Sequence, residues 1–343
     1  MSLREATVTR RPNTALAMRS HLPERYFGPA GLARLGEIAR AAPGPALTEF
    51  SSPAARTALA CAEVLVTGWG CPPIDQDVLD AAPGLRAIVH AAGSVKHWVS
   101  PACWERGIQV STAAAANAEP VAEFTLAMLL LAGKGVLPLA REYRRRRSFV
   151  DLEREYLTIG NYQRRIGLVG ASRIGRRVIE LLRPFDLEVW VSDPFLEPDD
   201  ARRLGVHLAE LDLLLAGCDI VSLHAPSLPS TRHLIDRHRL SLLPDGAVLI
   251  NTARGALVDQ QALLDELVSG RIDAILDTTE PEVTDPDSPL YTLPNVLLTP
   301  HLAGAAGVEL RRLGSSALDE LARFAADQPF RHGVTLQELE HSA

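Results

Sequence analysis

The sequence has few cysteines, no surplus of basic charge and few aromatic residues. Its four cysteines show no C-x-x-C spacing and have mostly apolar neighbours, which is typical of reduced, buried thiols in a reducing compartment. The net charge of -7 argues against a general binder of nucleic acids or anionic membranes, because such proteins usually carry a basic surplus. Chemistry on a small molecule is therefore favoured. The cysteines are Cys61, Cys71, Cys103 and Cys218.

Long apolar runs are also scarce. The most apolar uncharged stretch, residues 124–133, falls far short of the roughly 20 residues that a membrane span needs. Residues 1–11 are polar and charged, without the apolar centre of a secretory signal. We therefore expect a cytoplasmic protein.

The chain contains two series of β-type runs that alternate with helical patterns. The first lies between residues 13 and 111, and the second, with near-continuous apolar runs, between 165 and 301. This alternation predicts an α/β fold with parallel sheets, the second of them a doubly wound Rossmann-type sheet. At 343 residues the chain is long for one core, so two domains are expected. The predicted strands are 15–18, 63–69, 85–93, 107–112, 165–170, 187–193, 220–226, 247–253, 274–280 and 295–301.

Helices are predicted from apolar spacing and from capping residues. Leu32, Leu35 and Ile38 mark one apolar helix face. Another helix is expected between Asp259, which can cap its start, and Gly270, which can close it. The apolar face of that second helix is Leu263, Leu264, Leu267 and Val268. Further helices are expected over 118–134 and 308–325, and the four arginines 144–147 are interpreted as a solvated helix face or turn.

A candidate dinucleotide-binding turn follows the first strand of the second series. It runs from Gly170 to Gly175 and opens a helix, but Ser172 occupies the position of the second glycine of a G-x-G-x-x-G pattern. A glycine there lets the backbone approach a pyrophosphate, so the serine puts cofactor affinity in doubt, although its hydroxyl can bond a phosphate.

An acidic residue at the end of the next strand completes this pattern. Asp193 lies 18 residues after Gly175, where its carboxylate would accept hydrogen bonds from the adenosine ribose and repel a 2′-phosphate. NAD is therefore preferred over NADP. The alternative is that the two glycines only make a tight turn and that Asp193 caps the next element.

Three strand ends of the second series carry charged or titratable residues. The carboxyl ends of parallel strands form the ligand-binding edge of such a sheet. Arg254 can hold the carboxylate of a 2-oxo acid or polarise its ketone, and His301 can supply the proton that a forming alkoxide needs. A carboxylate beside the imidazole would orient it; Glu282 is preferred, with Glu280 as the competing candidate. Taken singly, each residue also fits an ordinary surface or structural role.

Several motifs in order carry a resemblance to a known family. GASRIG at 170–175, the strand-end Asp193, LINTARGALVD at 249–259, LDTTEPE at 276–282 and VLLTPHLAG at 296–304 resemble the D-isomer-specific 2-hydroxyacid dehydrogenases. The strong match covers about 117–304. The resemblance implies a catalytic set of Arg254, Glu282 and His301, with Arg254 binding substrate, Glu282 supporting the histidine and His301 acting as acid and base.

The same resemblance implies a domain arrangement, a cofactor and a partner. An NAD-binding Rossmann domain over 117–301 is expected to be inserted into a smaller flavodoxin-like substrate domain made of 1–116 and 302–343. The cofactor is NAD, no metal is implied, and a homodimer is expected through a helix corresponding to 120–134.

Further site residues follow from the resemblance. The substrate carboxylate is expected to meet backbone amides of the loop 92–97, at Gly93 and Ser94, although Lys96 stands where the family usually has aspartate. A plain strand-to-helix turn is the alternative for this loop. The cofactor-binding residues are expected to be Gly170, Ser172, Arg173, Ile174, Gly175, Asp193, Pro226, Thr252, Ala253, Asp277 and His301.

Two other functions are alternatives to the dehydrogenase. An NAD-sensing protein of the corepressor type resembles the same family and works by binding partners, but no added partner-binding tail is recognised here. A formate dehydrogenase is disfavoured, because Glu282 stands where the sequence pattern of those enzymes has a glutamine. The substrate stays open among glyoxylate, hydroxypyruvate, phosphoglycerate, and branched or aromatic 2-oxo acids.

Overall fold

The computed structural model describes residues 10–96 and 98–341. These residues form two compact units. The first unit lies within Met1–Asn117 and Ala305–Ser342, and the second within Ala118–Gly304. Each unit contains one parallel sheet covered by helices, which confirms the predicted α/β class.

The sheet of the first unit has five parallel strands in the order β2-β1-β3-β4-β5. This order is the flavodoxin-like one, as predicted. Its elements up to residue 112 are β1 (Asn13–Ala17), α1 (Leu22–Ile38), β2 (Arg40–Ala41), α2 (Pro53–Cys61), β3 (Val64–Thr67), α3 (Gln76–Ala81), β4 (Ala87–His90), α4 (Ala102–Glu105) and β5 (Gln109–Thr112).

Both faces of this sheet are buried, because successive strand residues point to opposite sides. Along β3, Val64 and Val66 pack into the core on one face and Leu65 into the core on the other. A strand that is covered on both faces needs apolar residues at every position, which explains the near-continuous apolar runs in the sequence.

The second unit contains a seven-stranded parallel sheet in the order β12-β11-β10-β9-β6-β7-β8. The chain starts in the middle at β6 and reverses direction between β6 and β9, which is the doubly wound arrangement. The elements from residue 114 on are α5 (Ala114–Gly133), in which the unit boundary falls, α6 (Val136–Arg146), α7 (Leu152–Glu155), β6 (Arg164–Val169), α8 (Arg173–Leu182), β7 (Leu187–Ser192), α9 (Pro198–Leu204), β8 (His207–Leu208), α10 (Leu211–Gly217), β9 (Ile220–Leu223), α11 (Arg237–Leu242), β10 (Val248–Asn251), α12 (Gln260–Ser269), β11 (Asp273–Leu276) and β12 (Val296–Leu298).

The chain then completes the first unit with α13 (Leu310–Ala325) and α14 (Leu336–His341). Helix α13 confirms the predicted last helix and packs against α1. A methyl group on Gly314 would lie 2.0 Å from the carbonyl oxygen of Tyr26, so glycine is needed for this close approach. The apolar face predicted for α1 is partly wrong, because Leu32 is 37% exposed while Leu35 and Ile38 are buried.

Helix α12 has the predicted ends. The side chain of Asp259 accepts a hydrogen bond from the amide of Ala262, and Gly270 ends the helix in a left-handed conformation. Its buried face is narrower than predicted, since Val268 is 64% exposed. The arginines 144–147 lie at the solvated end of α6, as expected, where Arg145 and Arg146 pair with Glu142.

The prediction that all four cysteines are buried is partly wrong. Cys61 is exposed, whereas the other three cysteines are buried, and burial raises the pKa of Cys71 and Cys218 to about 12. Helix α5 is 20 residues long and, by length and composition, apolar enough to cross a membrane, so the shortness of its uncharged run does not by itself exclude a span. The core helix of a soluble protein passes the same test, and the cytoplasmic location stays a prediction.

Candidate active site

The candidate cofactor turn joins β6 to α8 in the second unit. Gly170 has φ +103°, and a methyl group there would lie 2.7 Å from the amide nitrogen of Ala225. A methyl group on Gly175 would lie 2.2 Å from the carbonyl oxygen of Gly170. Both positions therefore require glycine, one for its backbone conformation and both for space. The turn has the shape that lets a pyrophosphate approach the start of a helix.

Ser172 has a different role from the one that sequence reasoning considered first. It is the N-cap of α8, and its hydroxyl accepts a hydrogen bond from the amide of Gly175 at 3.4 Å. Its φ of -62° is accessible to any residue, so the backbone does not require a glycine at this position. Arg173 and Ile174 form the first turn of α8, with Arg173 exposed. The serine therefore fits the turn, and relative to glycine it adds a Cβ and the hydroxyl that caps α8.

The carboxylate of Asp193, which follows β7, is hydrogen-bonded to this turn. One oxygen accepts from the amide of Ala171 at 2.6 Å and the other from the amide of Phe195 at 2.8 Å. The alternative that Asp193 caps the next helix is wrong, because α9 begins at Pro198 with Glu197 in the N-cap position. Each carboxylate oxygen has two acceptor positions, so these bonds leave capacity for ribose hydroxyls.

A buried histidine that sequence reasoning missed lies at the adjacent strand end. His224 follows β9, and its Nε2 lies 3.1 Å from the hydroxyl of Ser222. Burial lowers the pKa of His224 to about 4, so the ring is neutral near pH 7. Pro226, two residues later, is half-buried, and its carbonyl oxygen accepts a hydrogen bond from Thr231 at 2.6 Å.

Arg254 is held at the end of β10 by a buried asparagine. The side chain of Asn251 donates to the carbonyl oxygen of Arg254 at 2.9 Å and accepts from the amide of Ala253 at 3.1 Å. Arg254 is half-buried; burial lowers the pKa of Arg254, and the charge of Glu282 opposes that effect. The neighbouring Thr252 is buried, with its hydroxyl 3.1 Å from that of Thr125.

Gly255 joins the arginine segment to the glutamate segment. A methyl group on Gly255 would lie 2.1 Å from the carbonyl carbon of Thr279 and 2.5 Å from the amide nitrogen of Glu280. The Thr279 hydroxyl in turn donates to the carbonyl oxygens of Pro281 and Glu282, at 2.8 and 3.0 Å. The two segments therefore have a fixed register relative to each other.

The structure distinguishes the two candidate glutamates. Glu282 forms a hydrogen bond with Nδ1 of His301, and both side chains are solvent-accessible. Glu280 instead pairs with Arg232 at 2.7 Å and lies 3.8 Å from His233. The carboxylate beside the imidazole is therefore that of Glu282.

His301 follows β12 and has a left-handed backbone, with φ +52°. Its amide donates to the carbonyl oxygens of Asp277 and Thr299, both at 3.0 Å. Asp277 lies at the end of β11 and is only 1% exposed. Its carboxylate accepts hydrogen bonds from the residues on either side of His301 rather than pointing freely toward a cofactor.

The predicted substrate loop lies in the first unit, at the carboxyl end of β4. Gly93 and Ser94 are half-buried, and the Ser94 hydroxyl accepts from the amide of Lys96 at 3.4 Å. The last residue of the predicted loop, position 97, lies outside the described residues. The loop begins directly after His90, whose Nδ1 lies 2.8 Å from the Thr67 hydroxyl.

Comparison with known proteins decides the family. Residues 126–303, more than half of the chain, match the model of the D-isomer specific 2-hydroxyacid dehydrogenase, NAD binding domain. The chain belongs to the D-isomer specific 2-hydroxyacid dehydrogenase family. This match confirms the predicted resemblance, and it confirms NAD as the cofactor type of the second unit.

Relatives of known structure or activity agree with this family. The chain is 34% identical over 255 residues to the glyoxylate reductase of Korarchaeum cryptofilum, covering 74% of this chain and 76% of that protein. It is 30% identical over 274 residues to the D-3-phosphoglycerate dehydrogenase of Archaeoglobus fulgidus, covering 78% of this chain and 51% of that protein. The chain thus spans about half the length of such phosphoglycerate dehydrogenases. The crystal structure of the TT0316 protein from Thermus thermophilus superposes with a TM-score of 0.74 at 32% identity, covering 94% of this chain and 100% of that one.

Proposed function

We propose that the protein is an NAD-dependent oxidoreductase that interconverts a small 2-hydroxy acid and the corresponding 2-oxo acid at carbon 2. The observation that carries this proposal is the contact between Glu282 and Nδ1 of His301. The two side chains and Arg254 follow strands of the sheet that also carries the cofactor turn, and all lie at its carboxyl edge.

His301 is the proposed acid and base. Because Glu282 engages Nδ1, the ring directs Nε2 outward as the atom that gives or takes the proton of the substrate oxygen. The carboxylate fixes the ring orientation and balances the charge of the protonated ring. Partial exposure of both side chains leaves room for a substrate to approach.

Arg254 is the proposed substrate-binding residue. Its guanidinium is half-buried and offers a planar fork of donors to a carboxylate or a ketone oxygen. The amides of Gly93 and Ser94 in the first unit are proposed to bind the substrate carboxylate. Glyoxylate is a reasonable first substrate, since the Korarchaeum cryptofilum relative is a glyoxylate reductase.

The cofactor turn and Asp193 are proposed to hold NAD rather than NADP. When bound, NAD supplies the hydride acceptor, and NADH the hydride donor, for carbon 2 of the substrate. The amides at the start of α8 would face the pyrophosphate. The carboxylate of Asp193 would accept from the ribose hydroxyls and repel a 2′-phosphate.

A second copy of the chain is the proposed protein partner. Helix α5 and the segment after it expose large apolar side chains, including Leu131 at 36%, Phe149 at 85%, Leu157 at 81% and Tyr162 at 76%. Burial of these side chains against another protein surface would remove apolar area from water. Molar mass measured by light scattering tests this homodimer, which a monomeric mass at micromolar concentration would exclude.

Oxidation of NADH against a panel of 2-oxo acids tests the proposed reaction, with NADPH in parallel. We expect turnover with at least one acid and a preference for NADH, and loss of that turnover in His301→Asn. If NADH binds but no acid is turned over, a binding role of the NAD-sensing type replaces the enzymatic one. Turnover that survives His301→Asn would instead remove the histidine from the mechanism.

A further inference from the structure

His301 has a backbone conformation that needs support from its surroundings. Its φ of +52° lies in the left-handed region, which residues with a Cβ atom adopt rarely. The side chain beyond this turn is partly exposed, so packing of the imidazole alone does not fix the backbone. The support must come from the chain on either side of His301.

Asp277 provides that support from the neighbouring strand. Its Oδ1 accepts from the Thr299 hydroxyl at 2.6 Å and from the amide of Leu302 at 2.8 Å, and its Oδ2 accepts from the amide of Ala303 at 2.9 Å. Its backbone carbonyl accepts from the amide of His301 at 3.0 Å. Donors that precede and follow His301 therefore converge on one residue.

The Asp277 carboxylate is committed to this turn. It is 1% exposed, and a buried carboxylate is stable only when donors satisfy its oxygens. All three donors to the carboxylate come from residues 299–303, the segment that contains His301. A group that served packing alone would not need a charge at this position.

We propose that Asp277 and Thr299 form a clamp that positions His301, so that Asp277 acts through the histidine rather than by contact with the cofactor. This inference rests on the proposed function of His301. A displacement of about 1 Å in a catalytic group can lower turnover by about 10²-fold. The clamp is the part of the second unit that sets this position.

Two substitutions test the clamp, with a matched control. Thr299→Val keeps the side-chain shape and removes one donor, and Asp277→Asn replaces one acceptor oxygen by a donor that faces an amide. We expect kcat to fall about 10-fold in Thr299→Val and about 10²-fold in Asp277→Asn, while the Kd for NADH measured by fluorescence is unchanged. Thr299→Ser should restore turnover. Thr292→Val is the control, because Thr292 is exposed and its hydroxyl bonds the nearby Pro289 carbonyl at 3.3 Å.

Histidine-selective NMR labelling adds a readout that does not depend on activity. The His301 resonance, assigned by its absence in His301→Asn, should shift and broaden in Thr299→Val and not in Thr292→Val. A wild-type protein without turnover on any acid would refute the proposed function, yet the NMR comparison would still decide the clamp. An unchanged His301 resonance, or a Kd for NADH that rises in step with the fall in kcat, would overturn the clamp and assign Asp277 to cofactor binding.

Discussion

Among the residues that the structure describes, one histidine is buried in each unit, and the two together predict a specific loss of stability in acid. His90 ends β4 in the first unit and His224 follows β9 in the second, with exposures of 1% and 4%. Burial lowers the pKa of each to about 4, from about 6.5 in the unfolded chain. Between these two values the unfolded chain binds more protons than the folded chain. The free energy of unfolding therefore decreases as the pH falls from 6.5 toward 4, and above 6.5 it is unaffected by these rings.

The magnitude follows from the two pKa values. At pH 5 the folded ring is almost entirely neutral, whereas most unfolded rings are protonated, and the difference costs about 2 kcal/mol for each histidine. Each unit is thus expected to lose about 2 kcal/mol between pH 7 and pH 5 from its histidine alone. Two separate variants can measure this effect one unit at a time.

Urea unfolding at pH 7 and pH 5 is the assay, with wild type compared to His90→Asn and His224→Gln. The asparagine amide can replace Nδ1 in the contact with Thr67, and the glutamine amide can replace Nε2 in the contact with Ser222. Each variant should show a pH dependence smaller than that of wild type by about 2 kcal/mol, whatever its stability at pH 7. A variant that loses stability between the two pH values as steeply as wild type would refute the reasoning.

Three further predictions concern the candidate active site. His301→Asn should lower turnover by about 10²- to 10⁴-fold while NADH binding survives, as steady-state kinetics and fluorescence titration will measure; normal turnover would exclude the histidine as the acid and base. Asp193→Ala should weaken binding of both cofactors, because the bond to the Ala171 amide is lost, and should narrow the preference for NAD over NADP; an unchanged ratio of kcat/KM would contradict the assignment. Gly255→Ala should destabilise the protein by about 2 kcal/mol or more in urea unfolding, because its methyl group meets backbone at 2.1 Å. Gly36→Ala is the matched control, with open space around the new methyl group, and equal effects of the two would show that the Gly255 contact is unimportant.

The strands were predictable because burial on both faces leaves a local trace in the sequence. All ten predicted runs overlap strands, whereas β2 and β8, with two residues each, are too short to show any pattern. Helix faces were predicted less well, since Leu32 and Val268 match the helical spacing but lie beyond the edge of the buried stripe. The spacing of apolar residues shows which side of a helix is buried. How wide the buried stripe is depends on the elements that pack against the helix.

Residues of the candidate site could be chosen from the sequence where the side-chain type indicates a chemistry, and not where a residue acts through a partner distant in the sequence. Arg254, Glu282 and His301 stand at strand ends with reactive side chains, so their type and place suggested a role. Gly255 carries no such signal, because the backbone that it touches lies 24 residues further along the chain. The cap at Ser172 was recognisable in principle, since serine directly before a helix commonly bonds its first amides.

Gly255 packs so closely against the Thr279 backbone that the stretch carrying Arg254 and the stretch carrying Glu282 cannot shift independently. An insertion, deletion or shift in the arginine-bearing stretch must be matched by the glutamate-bearing stretch, because no gap exists between them to absorb it. Redesign of the second unit must therefore change the arginine-bearing and the glutamate-bearing stretch together.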